Sequence, residues 1–190
     1  VNPRDDARVD TLLISGSTRR GSTNSAVLRT VHALAAPELT TTIYDELAAL
    51  PAFNPDDDHE PLPGPVARLR TAIHDAEALL FCTPEYAGAL PGAFKNLLDW
   101  TVGDADPRSI SGKPVGWLNV SGPAAPSGGA DAHESLAKVL GYVGARLVDD
   151  ACLRLPLTRD AVGDDGLVGD EVVRAAALGA LRALRTTGPS

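Results

Sequence analysis

Residues 9–24 read Val-Asp-Thr-Leu-Leu-Ile-Ser-Gly-Ser-Thr-Arg-Arg-Gly-Ser-Thr-Asn, and the reading of this stretch decides the fold. Val9 to Ile14 is a short apolar run, partly β-branched and closed by Ser15-Gly16, the pattern of a buried strand. Residues 24–36 follow with Val27, Val31 and Leu34 on one helical face, and Pro37 helps to stop that helix. A strand, a glycine-rich turn and a helix in this order open a parallel βαβ unit. The turn has the spacing of a triphosphate loop, G-x-x-x-x-G-K-[ST], but Ser22 stands where that loop needs lysine. A dinucleotide G-x-G-x-x-G fingerprint is absent as well, because Thr18 takes the place of its second glycine.

Outward from this stretch the same alternation repeats. Residues 40–44 make a second, β-branched strand, and residues 46–65, with five prolines and a run of acids, form a long surface loop. Residues 66–76 form a helix and residues 78–83 a fully apolar strand. Pro91 sits in the first turn of a helix that runs to Trp100. Strands at 114–120 and 147–155 alternate with helices at about 132–144 and 171–186. Five strands joined by helices imply right-handed crossovers and helices on both sheet faces. The fold class is therefore α/β: a doubly wound three-layer sandwich whose five-stranded parallel sheet has the common order 2-1-3-4-5. All 190 residues are expected in one domain, with residues 1–8 and 187–190 flexible.

The net charge of −8 argues against nucleic acid and anionic membranes as partners. No apolar run is long enough to span a bilayer, and the charged first ten residues lack a signal core, so a cytoplasmic location is expected. Cys82 and Cys152 form no metal or redox spacing, and Cys82 should be packed and reduced. No metal is expected: the four histidines are scattered and read as surface residues, and the cluster at 56–60 reads as a solvated acidic loop.

In doubly wound sheets ligands sit off the carboxyl ends of the strands where strand order reverses, here between strands one and three. The loops at those two positions, 15–24 and 83–92, are the ones richest in glycine and polar groups beyond an apolar strand. In the first, hydroxyls of Ser15, Ser17, Thr18, Ser22 and Thr23, the amides of a helix start and Arg19 suit one phosphate monoester. A polar turn that merely caps the helix through Ser22 or Asn24 is the plainer alternative. In the second, Tyr86 and the free backbone around Gly88 suit a flat heterocycle. A phosphate at one loop and a ring at the other describe a mononucleotide.

The stretch "ISGSTRRGSTN" resembles the G-S-x-R-x-x-S-x-N phosphate loop of the NADPH-dependent FMN reductase family. The stretch "CTPEYAGALPGAFKNLLDW" is similar to that family's long signature after the third strand. "LPAFNPD" and "GGADAHESL" resemble its intervening landmarks. The resemblance spans roughly residues 12–147 and implies a flavodoxin-like fold, bound FMN, NADPH or NADH as electron donor, and a homodimer or homotetramer. By matching position, Ser17, Arg19, Ser22 and Asn24 would grip the FMN phosphate, with Thr23 adding its amide. Pro84, Glu85, Tyr86, Ala87 and Gly88 would line the isoalloxazine mainly through backbone, and Ser121 would approach its other edge. Ala87 departs from the family's asparagine.

The function so implied is an FMN-dependent NAD(P)H oxidoreductase passing electrons to a small-molecule acceptor such as a quinone, azo compound, metal oxyanion or free flavin. The flavin would carry the hydride chemistry, so no side chain is nominated as general acid or base. The alternative is a flavodoxin-type electron carrier without NAD(P)H activity. Lys95 with Asp99, and Asn96 with Trp100, are i,i+4 neighbours expected to anchor a helix or a subunit contact.

Overall fold

The computed structural model describes residues 9–122 and 125–186; the ends expected to be flexible, 1–8 and 187–190, lie outside the described residues. Five parallel strands form the sheet: β1 (Val9–Ser15), β2 (Thr41–Tyr44), β3 (Ala76–Thr83), β4 (Pro114–Ser121) and β5 (Arg146–Pro156). Their order is β2-β1-β3-β4-β5, as the alternation predicts. Five helices connect and follow them: α1 (Thr23–Ala35), α2 (Gly64–Asp75), α3 (Gly92–Asp99), α4 (Ala130–Tyr142) and α5 (Glu171–Thr186).

Successive strand side chains point to opposite faces, and here both faces are apolar. Leu12, Ile14, Leu79, Phe81, Val115 and Trp117 pack beneath α2, α3 and α4. Leu13, Leu80, Cys82, Leu118 and Val120 pack beneath α1 and α5. Register pairs such as Ile14 with Phe81, and Cys82 with Leu118, bring the carboxyl ends of β1, β3 and β4 level.

Segment 46–65 differs from the surface loop expected of it. It forms two 3-10 turns, Leu47–Ala49 and Pro55–Asp57, and packs Leu47, Leu50, Phe53 and Leu62 onto the core. Asn96 holds it in place: Oδ1 accepts the Phe53 amide at 2.7 Å and Nδ2 donates to the Pro51 carbonyl at 2.8 Å. The Trp100 indole N–H donates to the same carbonyl at 2.9 Å, and Phe53 meets the Trp100 ring edge-on at 5.0 Å. Asn96 and Trp100 are thus the anchors their spacing suggests. Lys95 pairs with Asp99 at 2.5 Å on the outer side of the same helix.

The acidic run is not wholly solvated either. Asp58 pairs with Arg70 at 2.6 Å, both side chains about 10% exposed. Two bonds from that guanidinium to the Trp100 carbonyl, at 3.0 and 2.8 Å, meet the hydrogen-bonding needs that make a buried charge tolerable. His74 leaves the surface for Asp104 at 2.7 Å, and His133 leaves it for Trp117.

Candidate functional site

The first loop leaves β1 at Ser15 and is pressed against β3. The Gly16 amide donates to the Cys82 carbonyl at 2.8 Å. A Cβ at Gly16 would lie 2.6 Å from Thr83 Oγ1 and 2.9 Å from the Phe94 ring, so no larger residue fits. The chain then turns through Arg19 to Ser22, closed by the Ser22 amide on the Arg19 carbonyl at 3.2 Å, with Gly21 at φ 64.

Most of the loop's hydroxyls hold its shape. Ser25 Oγ donates to Ser15 Oγ at 3.0 Å, Ser15 Oγ accepts the Ser17 amide at 3.3 Å, and Ser17 Oγ accepts the Arg19 amide at 3.4 Å. Ser22 is the N-cap of α1 and accepts the Asn24 amide at 3.2 Å. Asn24 is buried, its Oδ1 accepting the Cys82 thiol at 3.4 Å. The Arg19 guanidinium is exposed and folds back onto the Gly21 carbonyl at 3.1 Å. The amides of Thr18, Gly21 and Thr23 have no acceptor among the described residues. These open donors, an arginine and the positive end of a 13-residue helix form an anion-binding donor set. Capping and anion binding coexist in this loop, since the cap uses Ser22 and leaves the Thr23 amide open.

The second loop follows β3 as a tight hairpin. Tyr86 and Ala89 exchange both backbone bonds, at 3.0 and 3.1 Å. The two residues between them have positive φ, 51° at Ala87 and 70° at Gly88, which defines a type I′ turn. Tyr86 is left 53% exposed at its edge. Pro84 and Glu85 are half-buried. The Glu85 carboxylate turns towards α4, where Oε2 accepts the Ser127 hydroxyl at 2.6 Å and the Ala132 amide at 3.1 Å. Ala132 is the third residue of α4, so Glu85 fills an orphan donor at that helix's positive end from another loop.

Ser121 ends β4, and the glycine loop after it returns close beside it. Gly129 has φ 85, and a Cβ there would lie 3.3 Å from Asn119 Cβ and 3.5 Å from Ser121 Oγ. The residues read from the sequence as site candidates therefore emerge at the carboxyl ends of adjacent strands β1, β3 and β4. Sequence reasoning missed the brace of Ser127 and Ala132 on Glu85. The double glycine before α4 signals a tight approach there, but not its partner.

Near this end of the sheet, in the first turn of α4, His133 Nδ1 lies 3.0 Å from both the Trp117 indole nitrogen and Asn119 Oδ1. As the neutral ring with Nδ1 bare it accepts the indole N–H, and it meets the Trp117 ring edge-on at 4.9 Å. Burial, and next the Arg154 charge, hold its pKa below the usual histidine range. Burial pushes the Cys82 thiol up, so it stays protonated and inert at neutral pH.

Comparison with known proteins agrees with the family and fold that the sequence implies. The family model described as NADPH-dependent FMN reductase matches residues 9–157. An NAD(P)H-dependent FMN reductase of Pseudomonas aeruginosa is 33% identical over 170 residues, covering 90% of this chain and 89% of its own. A quinone reductase of Escherichia coli is 29% identical over 143 residues, 75% of this chain and 74% of its own. Among solved structures, the flavoenzyme NAD(P)H:acceptor oxidoreductase of Paracoccus denitrificans superposes with a TM-score of 0.80. It is 26% identical and covers 95% of this chain and 100% of its own. On sequence and fold together, the chain belongs to the NADPH-dependent FMN reductase family.

Proposed function

We propose that this chain is an NAD(P)H:quinone oxidoreductase that holds FMN across the carboxyl ends of β1, β3 and β4. The observation that carries the reading is the pair of loops at adjacent strand ends, one a helix start with open amides, the other a hairpin with exposed backbone. The amides of Thr18, Gly21 and Thr23, with Arg19, take the phosphate. Ser15 and Ser17 hold those amides in place, while Ser22 and Asn24 fix the start of α1 behind them. When bound, FMN supplies the redox chemistry, accepting hydride from NAD(P)H and releasing electrons to the acceptor. Pro84, Glu85, Tyr86, Ala87 and Gly88 present mainly backbone to the ring, and Ser121 stands at its other edge. Preorganised amides of this kind stabilise negative charge that develops on a ligand.

Relatives from Escherichia coli and Pseudomonas putida are named quinone reductases, which supports a quinone as acceptor. Tyr86 is the sole aromatic in residues 15–24 and 83–92. Stacking space is therefore left for a nicotinamide, and this favours the enzyme over an electron carrier. Exposed Tyr86, Val102 and Tyr142 support assembly as a homodimer or homotetramer. The free thiols of Cys82 and Cys152 fit a reducing, cytoplasmic setting. Among the described residues no helix is long and apolar enough to cross a membrane.

The test is the visible spectrum after incubation with FMN and desalting. A retained flavin band that bleaches anaerobically on adding NADPH is expected, with turnover of a quinone. A retained band that NADPH leaves unchanged would point to a carrier. Arg19→Ala should weaken FMN binding by roughly ten- to a hundredfold, the worth of one charged hydrogen-bonding contact. Unchanged affinity would refute the phosphate assignment.

A further inference from the structure

A cleft of about 500 Å³ opens beyond the carboxyl ends of β4 and β5, between them and the start of α4. It meets the site proposed above only at Ser121, and its two nitrogen-bearing side chains, His133 and Arg154, take no part in that site. We propose that this cleft seats the ionised substituent of an aromatic acceptor, a carboxylate or sulfonate on a quinone, so that the chain selects anionic quinones. The inference rests on the reading of the chain as an FMN-dependent quinone reductase.

Strand register places the cleft within a ligand's length of the ring hairpin. Thr83 on β3 is level with Asn119 on β4, and Asn119 with Arg154 on β5. Neighbouring strands lie about 4.8 Å apart, so Arg154 leaves the sheet about 10 Å from the strand end that carries the hairpin. The three side chains share one face. Two residues earlier on the same strands, Phe81, Trp117 and Cys152 are also level, and all three pack on the side of α2, α3 and α4. A substituted bicyclic ring spans a gap of that order.

The lining is cationic in a molecule that is not. The chain carries a net charge of −8, and the clefts beside α2, α1 and the end of β2 each include a carboxylate. This one includes none among the described residues. Arg154 is exposed and has no hydrogen-bond or ion-pair partner among them. Its planar guanidinium offers two parallel donors to the oxygens of one anionic group. His133 turns Nδ1 to Trp117 and Asn119, which leaves Nε2 without a partner among the described residues. In the neutral ring that accepts the indole N–H, Nε2 carries the proton and is a donor. Burial pushes the Cys152 thiol up to about 12, so that wall adds no negative charge at neutral pH. Leu153 and Pro156 supply apolar contact for an aromatic body. A nicotinamide dinucleotide would bring two or more phosphate groups against a single arginine, whereas one ionised substituent matches it.

The experiment uses the full chain loaded with FMN and supplied with NADPH, turning over a naphthoquinone and its sulfonate. Each quinone is compared with itself across variants, so their different potentials cancel. Arg154→Gln should raise KM for the sulfonate about tenfold and leave kcat and the neutral quinone within about twofold. Arg154→Lys, which keeps the charge, should recover part of the loss. A second readout needs no turnover. Naphthalene sulfonate titrated into the chain without NADPH should shift the His133 ring signals by NMR, and Arg154→Gln should weaken that binding about tenfold. The signals are assigned by their loss in His133→Phe. No shift, or an equal loss of both quinones in Arg154→Gln, would overturn the proposal. A variant that raises KM for NADPH and spares the sulfonate would give the cleft to the electron donor and overturn it too. Wild type that reduces neither quinone removes the reductase reading, and the proposal goes with it even where the sulfonate binds.

Discussion

Ala87 is the residue whose chemistry fits its place least well. The hairpin between Tyr86 and Ala89 needs left-handed backbone at both central residues, and alanine adopts φ 51 there. For an L-residue with a Cβ that region costs on the order of 1–2 kcal/mol. Asparagine tolerates it, which is why Asn-Gly dominates such turns. Ala87→Asn should therefore stabilise the protein by about 0.5–1 kcal/mol, read as a higher urea midpoint at unchanged slope. No gain would mean that the turn is not under strain. The departure at 87 is visible in the sequence as a missing asparagine, but its consequence is a torsion, and only the fold supplies that. The same divide runs through the rest of the site. Ser15, Ser17, Arg19 and Ser22 stand out because hydroxyls, glycines and a cation interrupt an apolar strand pattern. The inward turn of Asn24 to Cys82, 58 residues away, leaves no local trace. The Glu85 carboxylate likewise finds Ser127 and Ala132, 42 and 47 residues on.

At the scale of elements, α4 carries a titratable joint to the sheet. The Trp117 indole N–H needs the lone pair of His133 Nδ1, which also lies 3.0 Å from Asn119 Oδ1, so protonation of the ring trades the first contact for the second. Burial and Arg154 depress the folded pKa, so the folded state binds fewer protons than the unfolded chain just below pH ~6.5. The contribution is thus present above about pH 6.5 and is lost as pH falls from there through the depressed folded value. His133→Phe lacks it, so the stability gap between wild type and variant should narrow between pH 7.5 and pH 5.5 in urea melts. The ring should titrate below the usual histidine range by NMR. A value at or above the ordinary one would contradict this account. Elements themselves were largely legible, because β-branched runs such as residues 40–44 and the fully apolar 78–83 alternate with amphipathic helices. The first turn of α4 was not, since Gly129 in a left-handed conformation starts the helix at Ala130, before any apolar period shows. Segment 46–65 hid its packing for a related reason. Its prolines erase periodicity, and the anchors Asn96 and Trp100 lie beyond the next helix and strand.

For the whole molecule, the site is assembled from loops that the sheet brings together but barely ties. Among the described residues the ring hairpin is tied to its neighbours by the Glu85 brace to Ser127 and Ala132, and the first loop is closed mostly on itself. A ligand spanning these loops binds the folded chain and has no site in the unfolded one, so its binding free energy adds to global stability. With FMN at about a hundred times its dissociation constant the gain is about 2.7 kcal/mol. For a chain of this length that amounts to a rise in Tm of roughly 5–10 °C. Riboflavin shares the ring and lacks the phosphate, so at equal concentration it should raise Tm less. Arg19→Ala should bring the FMN shift down towards the riboflavin shift while leaving the latter in place. Equal shifts for the two flavins in wild type would place the anchoring at the ring hairpin and remove the phosphate from the recognition of the loop that opens the fold.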